Sequence, residues 1–468
     1  MPARAMGKPR FYITTPIYYV SDVPHLGHSY TTIVADAIAR YQRMRRGAQD
    51  VRFLTGTDEH GQKIERMAAE RGADAAAYAE RISDAYRAVW KRLEIENDDF
   101  IRTTEPRHER EVVKLWQRME ARGDIYFRDY ESWYCVPCEQ FYPDKELAPG
   151  NTCPVHKKPV ERVKEKNYFF RLSAWQDKLL AFYDEVHKAT GRPFVEPQIR
   201  MNEVRAFIEA GLDDFSVSRT NFTWGVPVPN HAGHVVYVWM DALTNYYSVT
   251  EDEGSPLRGW WDDDVEIVHL IGKEISRFHA VYWPAMLMSA GLRPPDRVFA
   301  HGWWTVDGEK MSKTLGNVVD PVRLADDLGA DAFRYFVLRE VPLGADGDFS
   351  HEALLQRYNS ELCNDLGNLL NRSLGMIARS LGTEVTWRQL DDERLTAAVQ
   401  KTIATYVEAM DQLNPAAALT AVWALVREAN TYFEREAPWK QSKPDQEVIL
   451  WNALETIRVI AHLVRPAI

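Results

Sequence analysis

The sequence predicts an α/β protein in which a doubly wound parallel sheet is split by an insertion and followed by a bundle of α-helices. Three observations support this. Short apolar runs that end in polar loops alternate with helical periodicity early in the chain and again after about residue 220. Between these parts, prolines, aromatics and cysteines are dense. Beyond about Pro321 the apolar spacing is helical almost throughout. In such sheets, ligands bind beyond the C-terminal strand ends.

The first elements are typical of the opening of such a domain. Strands are predicted from Arg10 to Thr15 and from Val51 to Leu54, and a helix begins between them near His25. Apolar residues at helical spacing support that helix, namely Ile33, Val34, Ala37, Ile38 and Tyr41.

Later runs complete the plan. Val235 to Trp239 and Val265 to Ile271 are predicted as buried strands, each leading into a helix. Long amphipathic helices are predicted from Ala353 to Ser380 and from Asp392 to Ile468.

Composition sets the broad class. The 468 residues are 45% hydrophobic and 27% charged, which is ordinary for a soluble globular protein. No apolar run approaches the roughly 20 residues that span a bilayer. The segment from Met1 to Arg10 is basic but lacks the apolar core of a secretory signal, so a cytoplasmic location is predicted. The net charge of -11 is unfavourable for nucleic-acid binding as a whole, although local basic surfaces are compatible with it.

The first motif is Pro24-His25-Leu26-Gly27-His28. His25 and His28 lie on one face of a starting helix, and Gly27 lets a ligand approach the backbone. A helix N-terminus favours anions through its free N–H groups and its dipole, so both histidines are candidates to donate hydrogen bonds to phosphates. Capping or core histidines would give the same pattern.

The second motif is Lys310-Met311-Ser312-Lys313-Thr314, which follows a predicted turn at Asp307-Gly308-Glu309. Lys310 and Lys313 are expected on an exposed, mobile loop, where two ammonium groups would stabilise a departing pyrophosphate. A solvated basic loop is the alternative. Taken together, the two motifs could hold ATP from two sides, which points to an enzyme that activates a carboxylate with ATP.

A cysteine cluster predicts a metal. Cys135 and Cys138 are separated by two residues, as are Cys153 and His156. Three thiolates and one imidazole suit tetrahedral zinc, and four protein ligands leave no open position for catalysis. We therefore predict one structural zinc ion per chain, with unligated thiols as the alternative. Cys363 lies outside the cluster and is expected to be a buried helical residue.

These motifs resemble those of class I aminoacyl-tRNA synthetases, which are usually written HIGH and KMSKS. More narrowly, the chain is similar to the methionyl-tRNA synthetase family. The residues that carry this resemblance are Thr15-Pro16-Ile17-Tyr18-Tyr19, Gly56-Thr57-Asp58-Glu59-His60-Gly61, Val238-Trp239-Met240-Asp241-Ala242-Leu243-Thr244-Asn245-Tyr246 and Ile271-Gly272-Lys273-Glu274-Ile275. Leu26 and Thr314 depart slightly from the usual motifs, and threonine keeps the hydroxyl of serine.

The resemblance implies a methionine site. Its residues would be Ile17, Tyr19, Asp58, Trp239, Ala242, Leu243, Tyr246, Ile275 and His279. Asp58 would pair with the substrate ammonium, and Tyr19 or His279 would donate a polar contact near the sulfur. Without the resemblance, Trp239 and Tyr246 would be interpreted as core packing.

The resemblance also implies an anticodon site at Asn368, Arg372 and Trp439, where an amide, a guanidinium and an indole would read the CAU anticodon. Without it, Asn368 and Arg372 would be helix-surface residues and Trp439 a packing anchor.

The implied activity is the activation of L-methionine with MgATP and transfer to the methionine tRNA, initiator and elongator alike. His25, His28, Lys310 and Lys313 would be the catalytic groups. The predicted segments are a Rossmann-like catalytic half at 1–123, an inserted zinc-knuckle domain at 124–219, the second catalytic half at 220–321, a linker and stem-contact region at 322–355, and a helical anticodon-binding domain at 356–468. The dimerisation domain of some relatives is not found in the chain, which favours a monomer.

Two other functions fit parts of the pattern. One is a catalytically silent tRNA-binding relative on the same scaffold, although a pure binder would need neither the phosphate motifs nor the amino-acid pocket. The other is an enzyme of the same class that charges another amino acid, such as cysteine or leucine.

Overall fold

The structure is a computed structural model, and it describes residues 9–138, 140–142, 144–155, 157–311, 316–380, 382, 388 and 390–468. The chain forms two compact units. The first unit takes in Met1–Pro24, Arg46–Val89 and Glu96–His301, and the second unit takes in His25–Arg45, Trp90–Ile95 and Gly302–Ile468.

The strands in chain order are β1 (Arg10–Thr14), β2 (Tyr18–Tyr19), β3 (Val51–Asp58), β4 (Asp99–Arg102), β5 (Ile125–Cys135), β6 (Gln140–Tyr142), β7 (Glu161–Phe170), β8 (Val195–Glu196), β9 (Phe215–Ser216), β10 (Ser218–Arg219), β11 (Val235–Val236), β12 (Val265–Gly272), β13 (Arg297–His301), β14 (Trp304–Val306), β15 (Glu309–Lys310) and β16 (Gly347–Phe349).

The α-helices in chain order are α1 (Leu26–Arg46), α2 (Gln62–Glu70), α3 (Ala75–Arg92), α4 (Pro106–Ala121), α5 (Gln176–Thr190), α6 (Gln198–Glu209), α7 (Val238–Glu251), α8 (Trp283–Ser289), α9 (Pro321–Leu328), α10 (Ala330–Arg339), α11 (His351–Arg357), α12 (Asn368–Ser380), α13 (Glu393–Asp411), α14 (Pro415–Glu436) and α15 (Lys443–Val464). Two π-helical segments, Phe278–Tyr282 and Tyr358–Gly367, precede α8 and α12.

A parallel sheet organises the first unit. Within its described residues, six of the seven strands follow the order β2-β3-β1-β12-β13-β8, and the seventh, β4, also pairs with β3. Each pair in this sheet is parallel, and Phe11 of β1 lies between Val51 of β3 and Glu266 of β12. Parallel strands are covered on both faces, which is why their sequences are almost continuously apolar. The predicted α/β class and the strands β1, β3 and β12 are confirmed.

The predicted strand from Val235 to Trp239 is wrong beyond its first two residues. Only Val235 and Val236 form a strand, and α7 begins at Val238. The N–H groups of Met240 and Asp241 already donate to the carbonyl of Tyr237, at 2.9 and 3.1 Å. A run of β-branched and aromatic residues favours a strand locally, but tertiary packing decides the outcome in short segments.

The segment that interrupts the α/β pattern contains a second sheet. Its strands are antiparallel in the order β6-β5-β7-β9. Strand β5 has 11 residues and β7 has 10, and they pair from Ile125 opposite Phe170 to Tyr134 opposite Glu161.

The second unit is largely helical from α9 onward, as predicted. Several helices begin with a polar cap followed by proline: Asp320 accepts from the N–H groups of Val322 and Arg323, and Asn414 accepts from that of Ala417. Such caps satisfy N–H groups that the first turn leaves unbonded.

A buried ion pair lies at the centre of the second unit. Arg334 donates to Asp36 at 2.7 Å, and both side chains are fully buried. The same guanidinium donates to the carbonyls of Leu93, at 3.1 Å, and Ala467, at 3.3 Å. It thereby joins α1 and α10 to residues near the end of the chain.

One expectation for this unit is wrong. Cys363 is exposed, because the buried position of its π-helical segment is Glu361, which accepts from Tyr335 and Arg339.

Among the helices of the described residues, none is long and apolar enough to cross a bilayer.

Candidate active site

The two histidines of the first motif lie side by side at the start of α1. Their ring centroids are 3.9 Å apart. The Nδ1 atom of His25 accepts from the N–H of Gly27 at 3.0 Å, and the Nδ1 atom of His28 accepts from the N–H of His25 at 3.3 Å. Because Nδ1 is the acceptor in each ring, the proton of each neutral imidazole is on Nε2. Both side chains therefore carry an Nε2–H donor.

The helix start differs from the prediction in one respect. We expected unbonded N–H groups, but that of Leu26 donates to the carbonyl of Val319 at 3.1 Å and that of Gly27 donates to His25. These two N–H groups are therefore already bonded within the protein. Burial, and then the neighbouring His25, lower the pKa of His28 well below its usual value, so His28 is neutral near pH 7.

The second motif follows the predicted turn. Asp307 and Gly308 have positive φ angles of 55° and 73°, and they connect the antiparallel strands β14 and β15, in which Lys310 is paired with Thr305. The Lys310 side chain lies outside the described part of the chain. So do the residues Ser312, Lys313 and Thr314, and the exposure and mobility expected for their loop stay predictions.

Gly27 and Met311 bring the two motifs together. A Cβ atom on Gly27 would lie 3.0 Å from the His25 ring and 4.0 Å from the terminal methyl group of Met311. The first distance is shorter than ordinary van der Waals contact, so a larger residue at this position would push against the His25 ring. The second shows that Met311, the described residue that follows Lys310, lies beside Gly27 within the second unit.

The predicted methionine-site residues all belong to the first unit. The pairing of β2 with β3 sets Tyr19 directly opposite Asp58. Helix α7 carries Trp239, Ala242, Leu243 and Tyr246, and Ile275 and His279 lie in the turns before α8. Ile17, Trp239 and Ile275 are partly buried and pack against the same large apolar core.

A hydrogen bond links α7 to the turn before α8. The hydroxyl of Tyr246 lies 2.7 Å from Nε2 of His279, and Nδ1 of that ring lies 3.0 Å from the carbonyl oxygen of Ile275. A carbonyl only accepts, so Nδ1 carries the proton, Nε2 accepts, and Tyr246 donates. Burial lowers the pKa of His279 to about 4, so this ring is neutral near pH 7. Both of its nitrogens are used within the protein, which leaves Tyr19 as the predicted donor to the sulfur.

The structure adds aromatic neighbours that the sequence did not indicate. Phe278 stacks on Trp239 with ring centroids 3.7 Å apart and planes 5° apart. The ring centroids of His269 and Tyr246 are 4.2 Å apart, and Nδ1 of His269 shares a 2.8 Å hydrogen bond with the hydroxyl of Thr14. No local pattern marks Phe278 or His269, because each acquires its role only when distant strands and helices pack.

The predicted zinc ligands lie partly within the described residues. Cys135 ends β5, and it is buried with Cys153 in a small cluster that includes Tyr142 and Val160. The side chain of Cys138 and the whole of His156 fall outside the described residues, among which no three potential ligands come together. Two buried thiols in one cluster fit the soft-ligand chemistry of zinc.

The predicted anticodon residues lie on the helical bundle. The Arg372 guanidinium lies over the rings of Phe433, at 4.8 Å, and Trp439, at 5.9 Å, and it pairs with Glu434 at 2.5 Å. A cavity of about 430 Å³ is lined by Arg372, Met376, Arg379, Ser380, Phe433, Trp439 and Gln446. Trp439 is 48% exposed, which does not fit a packing anchor, and Asn368 is exposed one helical turn before Arg372.

Comparisons with known proteins agree on one family. Residues 11–374 match the family model described as tRNA synthetases class I (M), and residues 384–468 match the anticodon binding domain of methionyl tRNA ligase. The methionine–tRNA ligase of Caldanaerobacter subterraneus subsp. tengcongensis is 48% identical over 473 residues, covering 98% of this chain and 72% of that protein. That of Rickettsia conorii is 45% identical, covering 98% and 90%. Among solved structures, Mycobacterium tuberculosis methionyl-tRNA synthetase in complex with methionyl-adenylate aligns with a TM-score of 0.92 and 44% identity, covering 99% of this chain and 92% of that one.

Proposed function

This chain belongs to the methionyl-tRNA synthetase family of class I tRNA synthetases, and from that membership we propose which of its residues carry each step of the reaction. The chain activates L-methionine with ATP to give methionyl-adenylate and pyrophosphate, and it transfers the methionyl group to the methionine tRNA. It is therefore a ligase that forms a carbon–oxygen bond and releases AMP in the second step.

Activation needs positioned charge more than covalent chemistry. The methionine carboxylate attacks the α-phosphorus of ATP, which enters with Mg²⁺, and the bond to pyrophosphate breaks. His25 and His28 would donate from Nε2 to phosphate oxygens, and Lys310 and Lys313 would neutralise the pyrophosphate as it leaves. The paired Nδ1 acceptors and the approach of Met311 to Gly27 support this assignment.

Methionine would bind between β2, β3, α7 and the turn before α8. Asp58 would accept from the ammonium, while Trp239 and Tyr246 would enclose the thioether together with the aliphatic side chains of Ile17, Ala242, Leu243 and Ile275. Sulfur against an aromatic edge contributes about 0.3–1.5 kcal/mol. The observation that carries this assignment is the hydrogen bond from Tyr246 to the neutral His279, because it joins the two elements that hold most of the predicted pocket.

The zinc ion would be held by Cys135, Cys138, Cys153 and His156. Four protein ligands leave no position for substrate, so the metal would order the segment between β5 and β7 and take no part in chemistry. The burial of Cys135 and Cys153 in one cluster supports this assignment.

The tRNA would be read at the cavity of the helical bundle. Unpaired bases are recognised by stacking on aromatic or guanidinium planes and by hydrogen bonds to their edges. Trp439 offers an exposed indole beside the Arg372 guanidinium, and Asn368 adds an amide one turn away. We propose that these three side chains read the CAU anticodon. The expected cytoplasmic, monomeric state stays a prediction.

Two assays separate the proposed halves of the reaction. Methionine-dependent exchange of pyrophosphate into ATP reports activation without tRNA, and aminoacylation reports both steps. Arg372→Ala should raise the KM for tRNA at least tenfold and leave exchange unchanged. Arg394 is the matched control, because it is also an arginine paired with a glutamate of the bundle, Glu428 at 2.6 Å. Equal effects of Arg372→Ala and Arg394→Ala would contradict the anticodon assignment.

A third variant tests the ATP assignment. Lys313→Ala should lower the rate of exchange while the equilibrium affinity for methionine stays the same, because a charge that stabilises the departing pyrophosphate acts in the transition state. An equal loss of methionine affinity would contradict that role.

A further inference from the structure

A buried carboxylate lies between two imidazoles beside the predicted methionine pocket. Asp241 accepts from Nδ1 of His60 at 2.7 Å through one oxygen and from Nε2 of His108 at 2.8 Å through the other. Asp241 and His108 are fully buried, and His60 is 4% exposed. We call these three side chains the buried triad.

The directions of both hydrogen bonds are fixed by chemistry. An ionised carboxylate can only accept, so the two ring nitrogens carry the protons. Burial raises the pKa of Asp241, but the two histidines outweigh it and lower that pKa to about 2. Burial lowers the pKa of His60, but Asp241, with smaller contributions from Glu109 and Glu59, raises it overall. The carboxylate is therefore charged and held on both sides near pH 7.

The members of the triad come from three elements. His60 follows the end of β3, two residues after Asp58. Asp241 lies in the first turn of α7, between Trp239 and Ala242, and His108 lies on α4. The triad thus joins the strand that carries the predicted ammonium partner to the helix that carries the predicted apolar wall.

The end of β3 is also held by the hydrogen bonds of Glu59, the residue that follows Asp58. Arg102 donates to both oxygens of Glu59, at 2.7 and 3.0 Å, and the Glu59 N–H donates to Thr103 at 2.9 Å. The indole of Trp224 donates to the Glu59 carbonyl at 2.6 Å. With Glu59 fixed in this way, the bond from His60 to Asp241 sets how far α7 stands from Asp58.

We infer that His60, Asp241 and His108 are positioning residues for methionine, which set the distance between the ammonium site at Asp58 and the wall at Trp239. This inference rests on the proposed methionine site. None of the three touches substrate in this account; they act through the backbone of β3 and α7. A group misplaced by about 1 Å can cost ~10²-fold in rate or affinity, so the effect should be easy to measure.

The test uses substitutions that keep or remove the donor. His60→Asn retains an N–H near the Nδ1 position and His108→Gln retains one near Nε2, whereas His60→Ala and His108→Ala remove them. In the pyrophosphate exchange assay, each alanine variant should raise the KM for methionine by ~10²-fold and leave the KM for ATP within about threefold of wild type. The amide variants should restore the methionine KM to within about fivefold of wild type. If His60→Ala does not fold, His108→Ala gives the same test from the other side.

Two controls separate the possible failures. Glu196→Gln weakens another largely buried ion pair of the first unit, with Arg297 at 2.9 Å, and should lower the thermal unfolding midpoint without changing either KM. Asp58→Asn tests the methionine site itself, and if it leaves the methionine KM unchanged, the proposed site is wrong. Two outcomes would overturn the inference and make the triad only structural. In the first, Asp58→Asn raises the methionine KM but the alanine variants of His60 and His108 do not. In the second, those alanine variants raise the KM for methionine and the KM for ATP together as the unfolding midpoint falls.

Discussion

Replacing Tyr246 with phenylalanine removes the hydroxyl that donates to Nε2 of His279. Both side chains are 1% exposed, and the other nitrogen of His279 already donates to the Ile275 carbonyl. The ring therefore cannot turn to find a new partner without breaking a second bond. A buried acceptor left without its donor costs about 1–3 kcal/mol.

That cost should appear in stability and in substrate affinity. Water that enters to satisfy Nε2 would occupy the space predicted for the thioether, and methionine would have to displace it. With 1.4 kcal/mol equal to a factor of ten, we expect the KM for methionine in Tyr246→Phe to rise roughly tenfold. The KM for ATP should stay the same, because the hydroxyl lies in the amino-acid site.

Tyr183→Phe is the matched control for this prediction. Tyr183 is equally buried in the first unit, and its hydroxyl donates to the carbonyl of Ala280, the residue after His279. Both variants should lower the midpoint of thermal unfolding, but only Tyr246→Phe should change the exchange kinetics. The same methionine KM in both variants would refute the reasoning that places the substrate beside Tyr246.

Three further predictions concern stability and metal content. Asp36→Asn leaves the buried Arg334 without its carboxylate and should lower the free energy of unfolding, measured by urea denaturation, by about 3–5 kcal/mol. As the control, Asp326→Asn breaks an exposed ion pair with Arg92 and should lower that free energy by under about 1 kcal/mol. The pKa of His279 is about 4 when folded and about 6.5 when unfolded, so the unfolded chain binds more protons between those values. The free energy of unfolding should therefore fall as the pH drops from 6.5 to 4, and His279 should contribute up to roughly 3 kcal/mol of that fall. In His279→Gln, the dependence of the free energy of unfolding on pH should be weaker over this range. Elemental analysis is expected to find one zinc ion per chain in the wild type, and Cys135→Ser should lose it. Pyrophosphate exchange activity that persists after this loss would fit a structural metal.

Local signals in the sequence were enough for much of the fold. The continuous apolar runs in β1, β3 and β12 predicted buried parallel strands, because a strand covered on both faces has no polar face to display. The helical spacing of apolar residues beyond about Pro321 predicted the helices of the second unit, from α9 onward. Each of these signals depends on neighbours within a few residues.

Features that depend on distant residues could not be predicted in this way. His60 and Asp241 are 181 residues apart, and nothing in either motif indicates which polar side chain will meet which. The start of α7 was missed because Val235 to Trp239 has the composition of a strand, while the outcome depends on packing against distant elements such as α4. Free N–H groups were expected at the start of α1, but a carbonyl nearly 300 residues later, that of Val319, accepts from the N–H of Leu26.

A crystal structure of the chain with bound L-methionine would show where the amino acid lies. We predict that the ammonium lies within hydrogen-bonding distance of an Asp58 carboxylate oxygen and that the thioether contacts the rings of Trp239 and Tyr246. The imidazole of His279 should keep its bonds to Tyr246 and Ile275. Methionine bound elsewhere, or with its ammonium on a different carboxylate, would contradict the account.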